Sequence, residues 1–93
     1  MKGELVPLNL LPIGNFGIVK HIISKGSNRR RLMDLGLITD TTVVSLRKSP
    51  SGDPIAYEIR GTVIALRSEE ASNILVKIIN SEGGNLLWSL LNK

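Results

Sequence analysis

The residue types that most often carry out chemistry in proteins are scarce in this chain of 93 residues. It has no cysteine, and His21 is its one histidine. Thiolate zinc sites and iron–sulfur sites are therefore excluded, and a transition-metal site usually needs several imidazole or thiolate ligands. We interpret His21 as an ordinary residue of a strand, and the sequence predicts neither a metal site nor a cofactor.

Catalytic motifs have equally little support. One histidine without cysteine cannot supply a nucleophile, a base and a residue that orients the base. Lys25-Gly26-Ser27 has the residue types of a phosphate-binding loop, but the order Gly-Lys-Ser/Thr is inverted and the upstream glycine is missing. The adjacent Glu69 and Glu70 would point in different directions on a helix, as charges of its first turn do. We expect no catalytic residue and no enzyme.

The strongest charged feature is the run Arg29-Arg30-Arg31. Three successive helical residues spread over about 200°, so these arginines cannot all face one partner. Cations near a helix N-terminus oppose the helix dipole, at a cost of about 0.3–1 kcal/mol each when exposed. A cost without an evident gain inside the chain favours an external partner, and the alternative is a solvated helix start. The residues expected to bind a partner are Arg29, Arg30, Arg31, Asp34, Leu37 and Ile38.

The net charge of +4 is unevenly distributed. Residues 1–50 contain eight Lys and Arg against three acidic residues, whereas residues 51–93 contain four against five. A basic half attracts acidic partners, which include nucleic acid, anionic lipid and acidic protein surfaces. Because barrels that bind nucleic acid stack bases on aromatic side chains, and this chain has only Phe16, Tyr57 and Trp88, we expect no specific nucleic-acid partner.

No segment of the sequence predicts insertion into a membrane. Residues 1–4 lack the apolar run of a signal peptide, and no stretch approaches the ~18 apolar residues of a membrane span. The absence of cysteine suits a reducing compartment. We therefore expect a cytoplasmic protein that reaches the inner face of the cell membrane only through a partner.

Short runs of aliphatic and β-branched residues predict five or six strands. The first is expected around residues 8–11, before a turn at 12–14, and the others over 16–23, 42–48, 55–60, 63–67 and 76–79. Gly61-Thr62 predicts a tight hairpin between two of these strands.

Two short helices are expected between the strands. Ser27 or Asn28 would be the N-cap of the first helix, Gly36 would end it in the left-handed conformation, and Ser68 would cap the second. Many short strands with turn signals between them are typical of a small barrel, whose closure removes exposed strand edges. The predicted fold is therefore mainly β, a small SH3-like barrel of five to six short strands with two short helices in residues 1–79.

Residues 80–93 are predicted to form a C-terminal extension. Gly83-Gly84 breaks the strand pattern, and Leu86, Leu87, Leu90 and Leu91 would share one face of a short amphipathic helix. A segment this short is not a stable helix alone. We expect it to dock on its own barrel, and contacts with a second copy, a transporter or the membrane surface are the alternatives.

Four groups of residues carry a resemblance to a known family. They are Leu8-x-x-Leu11-x-x-Gly14-x-x-Gly17-Ile18, then Arg31-Leu32 with Leu35-Gly36-Leu37, then Gly52-Asp53-Pro54 with Gly61, and finally Ile64-Ala65-Leu66-Arg67 with Glu70-Ala71. In this order and spacing they resemble the FeoA-domain family over roughly residues 5–79. In one departure, Thr39-Asp40 stands where the family usually carries Pro-Gly, and Asp can adopt the left-handed conformation at modest cost.

The resemblance implies an SH3-like barrel that is the small partner of a large bacterial ferrous iron permease with a cytosolic GTP-binding domain. The expected function is that of a non-enzymatic accessory or regulatory protein, which acts through protein–protein interaction with that domain. Related SH3-like domains occur in metal-dependent repressors, so a metal-responsive domain is one alternative, although the ligands are missing. A basic nucleic-acid-binding small barrel is the other alternative.

Overall fold

The structure is a computed structural model that describes residues 4–79. Its main element is one antiparallel sheet. Within those residues the strands are β1 (Val6–Pro7), β2 (Phe16–Ile22), β3 (Thr42–Lys48), β4 (Ile55–Ile59), β5 (Thr62–Leu66) and β6 (Ile74–Ile78). They are arranged across the sheet as β1-β6-β2-β3-β4-β5. The helices are α1 (Gly26–Asp34) and α2 (Ser68–Ala71). The predicted mainly β fold with two short helices is therefore confirmed.

The segment before β2 differs from the prediction. Residues 8–11 were expected to form a strand, but Leu8–Leu10 form a short 3-10 helix, and the N–H of Leu11 donates to the carbonyl of Leu8 (3.0 Å). This turn places Leu8 and Leu11 in the core, where 0% and 3% of their surfaces are exposed. With three residues per turn, Leu8 and Leu11 share one side of this turn, and Leu10 lies on another side, which is exposed.

Two β-bulges interrupt the alternation of the strands. In β2, Val19 pairs with Val76 and His21 pairs with Leu75, so Lys20 is the extra residue. A second bulge lies between Ser45 and Arg47 in β3. A bulge bends its strand and reverses which face the following side chains occupy. Val19 is consequently buried and His21 is exposed, although two positions along a regular strand would share one face.

The core is aliphatic apart from one tyrosine. The Tyr57 side chain is fully buried in β4, and its hydroxyl donates to the carbonyl oxygen of Leu8 (3.4 Å). Burial, together with the nearby Asp53 carboxylate, raises the pKa of the Tyr57 hydroxyl. The buried apolar residues are Leu8, Leu11, Val19, Leu32, Leu37, Val43, Ile55, Tyr57, Ile59, Leu66, Ala71, Ile74 and Val76.

The β4–β5 hairpin is present, but its turn lies one residue earlier than predicted. Ile59 pairs with Thr62, so the two turn residues are Arg60 and Gly61 rather than Gly61 and Thr62. Both have positive φ, 53° and 83°. Two-residue hairpins favour this conformation because its twist matches that of the flanking strands.

The chain leaves the sheet beside the start of β2. After β6 ends at Ile78, the N–H of Ile79 donates to the carbonyl of Phe16 (3.0 Å). The predicted extension, residues 80–93 with its amphipathic helix, lies outside the described residues. Neither helix of the part that is described has the length and apolar character needed to cross a membrane.

Candidate partner-binding surface

Helix α1 begins earlier than the sequence indicates. Its N-cap is Lys25, with extended backbone, and neither Ser27 nor Asn28 occupies that position. Gly26, at φ 65°, turns the chain into the helix, a conformation that side-chain-bearing residues rarely adopt. The arginine run therefore lies one turn inside the helix rather than at its first residues, which reduces its conflict with the helix dipole.

Two of the three arginines have partners within the domain. An Nη1 group of Arg29 donates to the carbonyl of Ile22 (2.9 Å) at the end of β2. Arg31 forms an ion pair with Glu70 of α2. The expectation that the run brings no gain inside the chain is therefore wrong for Arg29 and Arg31, and these contacts fix α1 against the sheet and α2.

The end of α1 has the geometry that the sequence predicts. Gly36 has φ 107°. Its N–H donates to the carbonyl of Met33 (3.0 Å), and the N–H of Leu37 donates to the carbonyl of Leu32 (3.1 Å). This pair of hydrogen bonds is a Schellman motif, and Leu32 and Leu37 are the hydrophobic residues that usually accompany it. Leu37 is 0% exposed, so its side chain is not available to a partner.

The outer face of α1 remains accessible. Gly26, Arg29, Arg30, Met33 and Asp34 recur at spacings of three and four residues, so they lie on one side of the helix. They line an open cleft of about 350 Å³. Met33 is 40% exposed. Among residues 4–79, neither Arg30 nor Asp34 forms an ion pair. We call these five residues the α1 face.

The turn that follows α1 tolerates its departure from Pro-Gly. Asp40 has φ 70°, as expected for a residue in the left-handed conformation. Its N–H donates to the carbonyl of Val19 (2.7 Å), and its carboxylate pairs with the Lys20 ammonium (2.8 Å). Ile38, in the same turn, is half-buried. The turn therefore holds Ile38 near the exit of α1 but exposes less of it than of Met33.

A second, more polar cleft lies between the two helices, and the sequence did not indicate it. Its volume is about 380 Å³, and its lining residues are Ser24, Asn28, Leu32, Arg67, Glu69, Glu70 and Asn73. The Glu70 carboxylate on its wall also accepts the N–H of Arg67 (3.1 Å). Glu70 thus stabilises the start of α2 as well as binding Arg31.

The start of α2 differs in detail from the prediction. Arg67 is its N-cap and Ser68 is the first helical residue, so Ser68 is not the cap. The N–H of Ser68 donates instead to the carboxylate of Asp53 (2.8 Å), which the connecting loop brings to the helix end. A carboxylate at a helix N-terminus satisfies an unpaired donor and complements the dipole.

The chemical groups that this surface offers are charged and apolar side chains. Within residues 4–79 no three His, Asp or Glu side chains are grouped so that they could hold a metal ion. His21 is exposed on β2. The α1 face combines two guanidinium groups, a carboxylate and a thioether on a rigid helix. Such a surface suits a protein partner with acidic and apolar groups.

Comparison with known proteins identifies what the chain is similar to. The model of the FeoA domain matches residues 6–78. A curated relative is the Fe(2+) transport protein A/Fe(2+) transporter FeoB fusion protein of Porphyromonas gingivalis, which is 28% identical over 74 residues. The match covers 80% of this chain and 9% of the fusion protein, so the chain spans only a small part of that relative.

Solved structures show the same similarity. A FeoA-like protein from Clostridium acetobutylicum is 34% identical, with a TM-score of 0.78 over 85% of this chain and 92% of its own. FeoA of Stenotrophomonas maltophilia, complexed with zinc and described as an SH3 domain protein, is 28% identical, with a TM-score of 0.68 over 75% and 87%. The SH3-like fold that the sequence predicts is thereby confirmed.

The fold extends beyond these proteins. A manganese-dependent transcriptional repressor in complex with manganese has a TM-score of 0.74 and is 21% identical, over 85% of this chain and 39% of the repressor. At this identity the likeness concerns the fold alone. It agrees with the expectation that related SH3-like domains occur in metal-dependent repressors.

Proposed function

The chain belongs to the FeoA domain family, which is linked to ferrous iron transport, and we propose that it is a non-enzymatic accessory protein that regulates a ferrous iron permease. The proposed contact is with the cytosolic GTP-binding part of that permease. One observation carries the proposal: in the Porphyromonas gingivalis fusion protein, a segment similar to this chain is covalently joined to a transporter. Joining two proteins in one chain raises their effective concentration, which is useful when they act on each other.

The α1 face supports this function because it is both rigid and accessible. The buried Leu32, the Arg29 hydrogen bond to β2 and the Arg31–Glu70 ion pair all fix the helix. A backbone that is already rigid loses no further conformational entropy when a partner binds, so only the side chains have to become ordered. We therefore place partner binding at Arg29, Arg30 and Asp34, with Met33 as the apolar contact that the sequence did not indicate and Ile38 at the edge.

The proposed location follows from the proposed partner. A chain that binds the cytosolic part of a permease works in the cytoplasm, at the inner face of the membrane. The basic charge of residues 1–50 would attract an acidic surface of the permease and accelerate association. The proposal includes no direct insertion into lipid and no specific nucleic acid.

The direct test is a titration of the full chain with the complete permease of the same bacterium in lipid nanodiscs. We expect saturable binding that weakens as the salt concentration rises, and no binding to empty nanodiscs. A matched titration with double-stranded DNA is expected to show weak binding without sequence preference. Absence of binding to the permease, or sequence-selective binding to DNA, would overturn the proposal.

A further inference from the structure

Three exposed apolar residues lie close together in the sequence, from the end of the 3-10 helix into the loop before β2. Leu10 is 64% exposed, Ile13 is 46% exposed, and Pro12 between them is also exposed. Single exposed aliphatic side chains are ordinary, whereas three exposed apolar residues within four positions concentrate apolar surface in one short segment. We call Leu10, Pro12 and Ile13 the apolar strip.

The loop that carries the apolar strip is well fixed. The neighbouring Leu8 and Leu11 are buried, and the N–H of Gly14 donates to the carbonyl of Ser45 in β3 (2.6 Å). A Cβ atom at Gly17 would lie 3.5 Å from the Leu11 side chain, so this segment packs directly on β2. The 3-10 helix also contacts β6. The strip is therefore a preformed surface.

The chain leaves the described domain next to this surface. Ile79 is hydrogen-bonded to Phe16. Ile13 is three residues before Phe16, so the Cα atoms of Ile13 and Phe16 lie at most about 11 Å apart. Residues 80–85, Asn-Ser-Glu-Gly-Gly-Asn, form a polar spacer that can span up to about 20 Å. The residues that follow can therefore reach the apolar strip without any rearrangement of the sheet.

Those residues have the matching chemistry. The segment Leu86-Leu87-Trp88-Ser89-Leu90-Leu91 is apolar at every position but Ser89. It also lies outside residues 6–78, which the family model matches. So short an apolar segment gains stability mainly by packing against another apolar surface.

We propose that residues 86–91 dock on the apolar strip of the same chain. The occupant is a segment of the same molecule because it is tethered by a spacer of sufficient length, and such a tether gives an effective concentration in the millimolar range. Docking covers Leu10 and Ile13 and buries Trp88 at least partly. This inference concerns a surface separate from the α1 face and does not rest on the proposed function.

Trp88 is the only tryptophan, so its fluorescence in the full chain reports on the docking. We expect blue-shifted emission and weak quenching by acrylamide, both unchanged on dilution. The double variant Leu10→Ser/Ile13→Ser should shift the emission to the red and increase quenching several-fold. The control Ile23→Ser, at an equally exposed position just beyond the opposite end of β2, should leave both signals unchanged.

A second variant tests the same docking if the double variant Leu10→Ser/Ile13→Ser fails to fold. Leu87→Ser/Leu91→Ser changes only the segment, and the amide signals of Leu10 and Ile13 in NMR spectra should then shift. The proposal would be overturned if acrylamide quenched Trp88 in the unaltered chain as strongly as in the unfolded chain. It would also be overturned if the protection of Trp88 from acrylamide disappeared on dilution, which would assign the surface to a second copy, or if that protection appeared only with lipid vesicles.

Discussion

The guanidinium of Arg31 binds the carboxylate of Glu70, and this ion pair joins α1 to α2 across 39 positions of the sequence. Because Glu70 also accepts the N–H of Arg67, one carboxylate holds the start of α2 and the middle of α1 together. The arginine run is therefore partly structural. Arg30 has neither the hydrogen bond of Arg29 to Ile22 nor the ion pair of Arg31 with Glu70, so it is the arginine best placed to bind a partner.

The Arg31–Glu70 pair should contribute modestly to stability. Its side chains are 51% and 29% exposed, and exposed ion pairs contribute about 0.2–1 kcal/mol. A double-mutant cycle with Arg31→Ala and Glu70→Ala, measured by urea unfolding, should give a coupling energy in this range. Glu70→Ala should cost more than Arg31→Ala because it also removes the bond to Arg67. Equal costs with no coupling would show that the pair is not formed in solution.

Gly36→Val should be strongly destabilising. Gly36 has φ 107°, and a Cβ atom there would lie 3.3 Å from the Cγ2 of Ile59. Strain of this kind costs about 1–3 kcal/mol. Gly14→Val is a matched control, because Gly14 has φ 89° and a Cβ there meets no atom within 4 Å. Thermal melting should show a larger loss at Gly36, and an unchanged Tm for Gly36→Val would contradict the assigned Schellman motif.

The left-handed conformation at Gly36 was predictable because a glycine directly after a helical segment commonly ends the helix this way. At Asp40 it was suggested by the Pro-Gly that the resembling family carries at this turn, and Asp adopts it at modest cost. Strands β2 to β6 were predictable because β-branched runs fit a half-buried sheet. The strand expected at residues 8–11 was wrong, because a 3-10 helix buries Leu8 and Leu11 there. The Arg31–Glu70 pair was not, since no local pattern relates residues 39 positions apart. Nor was the bulge at Lys20, which moves His21 outward, or the complete burial of Leu37.

The monomer should have no tight site for Fe²⁺ or Zn²⁺. His21 is exposed, and within residues 4–79 no three potential ligands are grouped. One imidazole with water ligands binds these ions weakly. Titration calorimetry of the full chain should therefore detect no stoichiometric binding at micromolar concentrations, and His21→Ala should not alter the result. A micromolar or tighter site would contradict this prediction and favour the metal-responsive alternative.

If the α1 face binds the permease, a charge reversal at Arg30 should slow the association of the two proteins. Lys48→Glu is the matched control, because Lys48 lies away from the end of α1. It pairs with Ile55 at one end of the β3–β4 ladder, whereas Ile59, which lies next to Gly36, is at the other end. Both variants should melt at the temperature of the unaltered protein. At low salt, Arg30→Glu should associate with the permease at least about tenfold more slowly, since charges at an interface act mainly on the association rate, while Lys48→Glu should change it much less. Equal association rates for Arg30→Glu and the unaltered chain, with both proteins folded, would show that the α1 face does not bind the permease.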